Sequence, residues 1–410
     1  MGSRKNQSEL KETQPTYKVC SIFSQVLKLF SRGDFEKAVK AHKAERHARG
    51  FTSWGQFMAM LFCQVGRAHS LREICGGLAC CEGQLKHLGV PVAPKRSTLA
   101  YANEHRPWEL YQTVFEQTLV NCQALVQSQV GRKKKFRFKN KLMSLDGSII
   151  DLSVSMFDWA KYKRTKGAIK LHMLLDHDGY LPSFAVVTEG KTSEIKVART
   201  LRFDPGTILA IDRGYVDYEW FRELSMGEVY FVTRMKENAV YEVKEECQLP
   251  QNSNVVSDQI ICFPRLARAD EEPVPFRRVE IQDKETQETI VFLSNLIAFG
   301  ATTIAAIYKD RWQVELFFKA LKQTLKIKTF VGTSANAVRT QVWTALIAML
   351  VLKFLQLKSK YAWSLSTLAA LLRQQLFFYR DLYVWLDDPF QAPPALTGVH
   401  DDPQQLAITW

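Results

Sequence analysis

The hydrophobic period changes near residue 141, and this change constrains the fold more than any other feature of the chain. Before it, from about residue 17 to 130, apolar residues recur at helical spacing. After it come short apolar runs at 142–146, 149–154, 171–176 and 184–187, with the turn-forming His177-Asp178-Gly179 between the last two. Segments 194–201 and 216–225 return to helical spacing, while 207–212 and 229–233 are short and apolar. Read in order, these are a group of strands, then helix, strand, helix, strand. Such an order predicts an α/β layer around a mixed sheet.

The flanks differ in character. Within 17–130, Ser53 and Ser70 are placed to cap helices running through Cys63 and Cys80, and Lys95-Arg96-Ser97-Thr98 opens another towards His105. Segments 70–81 and 95–105 have the outline of a helix-turn-helix, although the turn is longer than the compact motif needs. An ordinary helical pair explains them equally well. Residues 237–288 hold twelve acidic against six basic residues and short β-like runs, so they read as an acidic β-rich insertion. A strand returns at 290–293, and Thr302 or Thr303 caps a long helix to about Leu325. Helices at 342–355, 365–376 and 377–386 follow, then a tail from Asp387. The domain plan is a polar tail (1–16), a helical domain (17–130), a first part of the α/β domain (131–236), the insertion (237–288), the rest of the α/β domain (289–330) and C-terminal helices with tail (331–410).

Composition narrows the function. With 46% hydrophobic residues the chain can bury a core, which excludes global disorder. A net charge of +13 favours a polyanionic partner, because Lys and Arg on phosphates release counterions. The run Arg132, Lys133, Lys134, Lys135, Arg137, Lys139 and Lys141, with Phe136 and Phe138 between, could touch DNA or be a solvated linker. The eight cysteines form no Cys-x-x-Cys pair, so they read as reduced thiols of a cytoplasmic protein and not as a zinc site. No signal peptide is expected in the polar opening, and 342–355 is too short for a confident membrane span.

The sharpest chemical signal lies on the helix around 308–325. At about 100° per residue, Tyr308, Arg311, Glu315 and Lys322 fall within one arc of roughly 60°. Val314, Leu321 and Leu325 lie on an adjoining stripe that can pack on the sheet. Taken alone, Arg311–Glu315 could be a surface ion pair worth a few tenths of a kcal/mol. Asp146-Gly147 could likewise be a turn, and Asp212 a helix cap.

The spacing Tyr308, Arg311, Glu315, Lys322 resembles the YREK signature of insertion-sequence family four transposases. Leu142-Met-Ser-Leu-Asp146-Gly-Ser and Ile208-Leu-Ala-Ile-Asp212-Arg-Gly-Tyr resemble the two strands that carry the family's aspartates. The likeness spans about 141–355, and 17–130 resembles a helical domain often found ahead of such catalytic domains. It implies a ribonuclease H-like α/β catalytic domain with Asp146, Asp212 and Glu315 as catalytic acids and ligands of two Mg²⁺ ions, with Mn²⁺ able to substitute. Asp151 competes with Asp146, but a five-residue offset points it to the other face of the strand. The resemblance further implies DNA contacts by Tyr308, Arg311, Lys322, Lys163, Arg164, Lys166, Lys170, Arg213 and Lys319. Partners would be double-stranded transposon ends and target DNA, met as a homodimer in a bacterial cytoplasm, with no membrane. Some relatives stack a flipped base on a Trp of the insertion. Residues 229–300 contain no Trp, which leaves Tyr230, Tyr241 or Phe276 as substitutes. A catalytically silent domesticated DNA-binding protein and a non-transposing nuclease on the same fold remain the alternatives.

Overall fold

β1 (Leu142–Leu152) is one unbroken strand, and it organises the sheet. The two runs read as separate strands are continuous because Asp146 and Gly147 pair with Met173 and His172 of β3 (Lys166–Asp176) instead of turning. Ladder pairing with β3 before, at and after the pair outweighs the local turn chemistry of Asp-Gly. The computed structural model describes residues 20–46, 48, 50–128, 135–152, 161–163, 166–251, 253–268, 272–283, 287–325 and 330–390, and counts refer to these.

Beyond β2 (Lys161–Lys163), β3 and β4 (Leu181–Glu189) lie β5 (Ile208–Ile211), β6 (Tyr230–Arg234), β7 (Glu242–Glu246), β8 (Val255–Cys262), β9 (Phe276–Gln282) and β10 (Thr289–Ser294). The sheet order is β2-β3-β1-β5-β6-β10-β9-β8-β7, with β4 also on β3. β1, β3 and β4 are antiparallel, whereas β5 and β6 run parallel to β1. Three antiparallel strands followed by two parallel ones is the ribonuclease H-like arrangement. β7 to β9, from the acidic segment, continue this same sheet through β10.

Helices cover both faces. The N-terminal set is α1 (Ile22–Leu27), α2 (Arg32–Ala41), α3 (Ser53–Val65), α4 (Leu71–Ala79), α5 (Glu82–Leu85), α6 (Arg96–His105) and α7 (Glu109–Ser128). Within and after the sheet come α8 (Glu194–Ala198), α9 (Tyr218–Met226), α10 (Ala301–Asp310), α11 (Trp312–Thr324), α12 (Ala335–Lys358), α13 (Leu365–Gln375) and α14 (Leu382–Asp387). Ser70 caps α4 as its position suggests: its Oγ accepts from Glu73 N, and the Glu73 carboxylate accepts from His69 N. Thr52, not Ser53, caps α3, and Gly300 opens α10 without a side-chain cap. α5 and a short 3-10 turn at Lys86–Leu88 separate α4 from α6, which is why that pair departs from the compact helix-turn-helix.

α12 is buried at the centre, between α3 and α7 on one side and the sheet and α11 on the other. Among the described residues it alone is long and apolar enough to cross a membrane, yet 78% of its apolar window is buried inside the fold. One apolar cluster runs from α1 through α12 to Ile150, Ile169, Leu171 and Met173 on the sheet, and to Val314, Phe317, Phe318 and Leu321 on α11. Those four α11 side chains, at about 2 kcal/mol each, outweigh any exposed ion pair of about 0.5 kcal/mol. Packing therefore fixes the helix, and the polar residues of α11 are left for chemistry.

Candidate active site

Three elements deliver three carboxylates to one cleft. β1 and β5 are adjacent and parallel, with Leu145 opposite Ile211. Asp146 and Asp212, the next residues, therefore emerge side by side, about one strand spacing of roughly 4.8 Å apart at the backbone. Asp212 has extended geometry and opens a short 3-10 turn, but its side chain caps nothing. Glu315 comes from the first turn of α11.

Arg311 stands among them. Its Nη2 is 2.5 Å from Glu315 Oε1 and its Nη1 is 3.4 Å from Asp146 Oδ2. The Arg311 side chain is only 9% exposed, so this is not the surface pair that sequence spacing alone would allow. Tyr308 packs under the guanidinium, 5.3 Å from its ring centroid, and its hydroxyl lies 3.5 Å from Asp212 Oδ1. Arg234 lies over the same ring at 5.7 Å. Arg311 occupies the joint between α10 and α11 in right-handed helical geometry, so the long helix expected from the sequence is two segments on nearly one line.

The electrostatics follow from this crowding. Burial pushes the Asp146 carboxyl up to about 6, and Asp212 and Glu315 push the same way; Arg311 and the Gly147 amide, 2.7 Å from Oδ1, oppose them. Burial works against the charge on Arg311, but Tyr308, Glu315 and Asp146 outweigh it and raise its pKa. Two buried polar atoms at the site have no hydrogen-bond partner among the described residues: Arg311 Nε and the Tyr215 hydroxyl. Burial raises the Tyr215 pKa, with Asp146 next in effect.

A cavity of about 410 Å³ opens beside the acids, lined by Asp146, Gly147, Ser148, Glu315, Phe318, Lys319, Lys322 and Gln323. Lys319 is exposed at its rim, and Lys322 donates to the Ile149 carbonyl at 2.8 Å. Arg213 is exposed directly after Asp212. Lys170 lies on β3. It is 7% exposed, and its ammonium is held by Glu194 Oε1 at 2.8 Å and the Thr192 carbonyl at 2.9 Å, so it faces the packing of β3 against α8. Lys163 and Lys166 lie at the β2–β3 turn, and Arg164 lies outside the described residues. Of the aromatic substitutes, Phe276 is fully buried, and Tyr230 and Tyr241 pack against apolar clusters. Trp312, one residue past Arg311, is 55% exposed. By helical angle it lies about 40° from Tyr308, just outside the arc of Tyr308, Arg311, Glu315 and Lys322.

The donor set suits a hard divalent cation: three carboxylates and no sulfur. Among the described residues, however, no three acidic, His or Cys side chains stand close enough to hold a metal ion. The positive charge between Asp146 and Glu315 is that of Arg311.

A ribonuclease H-like sheet with one acid inside β1, one just past the adjacent β5 and one on a facing helix defines a class: enzymes that cut or join nucleic-acid phosphodiesters. Residues 138–351 match the family described as Transposase DDE domain, and the chain belongs to that family. It is a DDE transposase, an enzyme that depends on divalent metal. Residues 19–91 match a domain of unknown function, DUF4372. The chain is 28% identical over 339 residues to a Sinorhizobium fredii protein named as transposase y4zB, covering 81% of this chain and 90% of that one. It is 30% identical over 240 residues to a Geobacillus stearothermophilus protein named as the transposase for insertion sequence element IS5377, covering 58% and 63%. A structure of the piggyBac transposase synaptic complex with hairpin DNA aligns at a TM-score of 0.41 and 10% identity, over 91% of this chain and 82% of that one.

Proposed function

We propose that Asp146, Asp212 and Glu315 are the catalytic acids of a cut-and-paste transposase of insertion-sequence family four, with Tyr308, Arg311 and Lys322 completing its YREK signature. The observation that carries this reading is the bridge of Arg311 between Asp146 and Glu315, with Tyr308 reaching Asp212. Tyr308, Arg311 and Glu315 thereby act on the same small volume as the strand aspartates, and Lys322 lines the cavity beside them.

The three carboxylates would hold two Mg²⁺ ions, or Mn²⁺ in their place. Such ions supply charge neutralisation at both the attacking and the leaving oxygen of an in-line phosphoryl displacement. The chain's own residues bind and orient. Arg311 forms bidentate contacts to a phosphate once it leaves the carboxylates, and Lys319 and Lys322 act as point charges at the cavity mouth. Arg213 and the Lys163–Lys166 turn extend the contact along the duplex. Trp312 is the platform for a base displaced from the stack at the cut end, in place of an insertion Trp. Water frees a 3′-OH at the transposon end, and that oxygen then attacks the opposite strand or target DNA. Two ends must be brought together, so a homodimer on DNA is the working state, in the bacterial nucleoid. The helices of 17–130 supply further DNA contact.

The test is cleavage of duplexes carrying the element's own ends, with Mg²⁺ supplied. Nicking at the ends followed by strand transfer supports the reading. Nicking without transfer of a pre-cut end favours a nuclease, and binding without nicking favours a silent DNA-binding protein.

A further inference from the structure

Behind the acids runs a buried polar chain that the cleavage chemistry does not use. Ser144 Oγ is 2.7 Å from His177 Nε2, and His177 Nδ1 is 2.6 Å from Asp310 Oδ2. Lys135 Nζ closes the chain at 2.5 Å from Asp310 Oδ1, and the Tyr180 hydroxyl lies 3.4 Å from Oδ2. The Asp310 side chain is 1% exposed and that of His177 is 7% exposed. Burial pushes the Asp310 carboxyl up, but hydrogen bonds from His177 and Lys135 outweigh it, so the net shift is down and the group is ionised.

Ser–His–Asp in this order is the geometry of an acyl-transfer triad. That role fails here. Ser144 is fully buried in the middle of the sheet, flanked by Leu175 on β3 and Ala210 on β5, and no substrate can reach its hydroxyl. With Nδ1 donating to Asp310, a neutral ring leaves Nε2 to accept the Ser144 proton. The chain is thus a set of directed bonds, and its ends are informative. Ser144 lies two residues before Asp146 on the same face of β1. Asp310 immediately precedes Arg311, where α10 gives way to α11.

We infer that Ser144, His177 and Asp310 are positioning residues that set the register of the α10–α11 joint against β1, and so the placement of Arg311 and Glu315 relative to Asp146. The inference rests on the proposed three-acid site. Apolar packing of α11 is non-directional and tolerates small slides and rotations of the helix. Short bonds to a buried carboxylate at the joint do not, and the His177 ring fixes both the distance and the angle. Lys135 ties the basic segment ahead of β1 to the same carboxylate.

Misplacing a reacting group by about 1 Å can cost on the order of a hundredfold in rate. Breaking one link should permit a smaller slide and a loss of roughly tenfold. The experiment is single-turnover cleavage by the full chain of a duplex bearing the DNA that flanks its gene, well below the melting temperature of each variant. Ser144→Ala removes one oxygen and Asp310→Asn keeps the shape of the carboxylate. Both should lower the rate constant about tenfold with the Kd for the duplex unchanged. The double variant should be no slower than the slower single, because both break one chain. Rates equal to wild type, with only the melting temperature lowered, would overturn the inference and assign the chain to stability alone. Independent, multiplying losses would also overturn it. Asp146→Asn, run alongside, separates the two claims. If it is inactive while Ser144→Ala is fully active, positioning fails and the acid site stands. If it still cleaves, the acid site fails and this inference with it.

Discussion

Replacing Arg311 with Gln should have effects of opposite sign on metal binding and on cleavage. In the structure its guanidinium lies 3.4 Å from Asp146 and 2.5 Å from Glu315. At an effective dielectric of about 20, a unit pair at the longer distance attracts by roughly 5 kcal/mol before desolvation is counted. Breaking a buried pair costs about 3–5 kcal/mol net. Glu315 is one-third exposed, so the low end, about 3 kcal/mol, is the expected loss of stability without metal. A divalent ion on the same carboxylates is repelled by the guanidinium. Even in bulk water, charges of two and one at roughly 5 Å repel by about 1.7 kcal/mol. Removing Arg311 should therefore tighten Mg²⁺ binding about tenfold, which adds about 1.4 kcal/mol of metal-induced stabilisation at saturation. Thermal unfolding across a Mg²⁺ titration reads both terms. Cleavage should fall, because the phosphate contact is lost as well. A Mg²⁺ stabilisation in the variant no larger than in wild type would refute the claim that Arg311 stands in the cation's place.

Metal binding should also depend on pH in a defined window. The folded Asp146 carboxyl is raised to about 6, from 3.8, chiefly by burial. A raised folded pKa contributes stability that is fully present below about 4 and is lost as pH rises through about 6. The metal-free protein should weaken over that interval, while apparent Mg²⁺ affinity rises and binding releases protons; calorimetry in two buffers of different ionisation heat measures both. Basic residues near the cleft should divide into two kinds. Lys319→Ala should lower the slope of log K against log salt for end DNA by about one. Lys170→Ala should leave that slope unchanged and lower the melting temperature, since Lys170 is buried on Glu194.

Much of this candidate site is legible in the sequence, for identifiable reasons. Asp212 ends a short apolar run, and Glu315 shares a helical arc with Tyr308 and Arg311; both signals are local periodicity. The misreadings are non-local. Asp-Gly at 146–147 is good turn chemistry, but partners on β3, with β5 beside the preceding Leu142 to Leu145, draw it into a strand. Lys170 reads as a DNA contact and Lys135 as a DNA contact or a solvated charge in the sequence, and only tertiary structure reveals the carboxylates that hold them. Asp310 did carry a signal that could have been used. By helical angle it lies near roughly 200°, close to the stripe of Val314, Leu321 and Leu325. An acid beside a buried stripe calls for a partner, and here that partner is His177, far along the chain.

The most direct test of the central claim is cleavage by three single variants, Asp146→Asn, Asp212→Asn and Glu315→Gln, measured with Mg²⁺ on the element's own ends beside binding to the same DNA. The account predicts that each variant binds the ends as wild type does and cleaves at least a thousandfold more slowly, on the order expected when a group essential to transition-state stabilisation is lost. Cleavage at the wild-type rate by any one of them would contradict the assignment of that carboxylate.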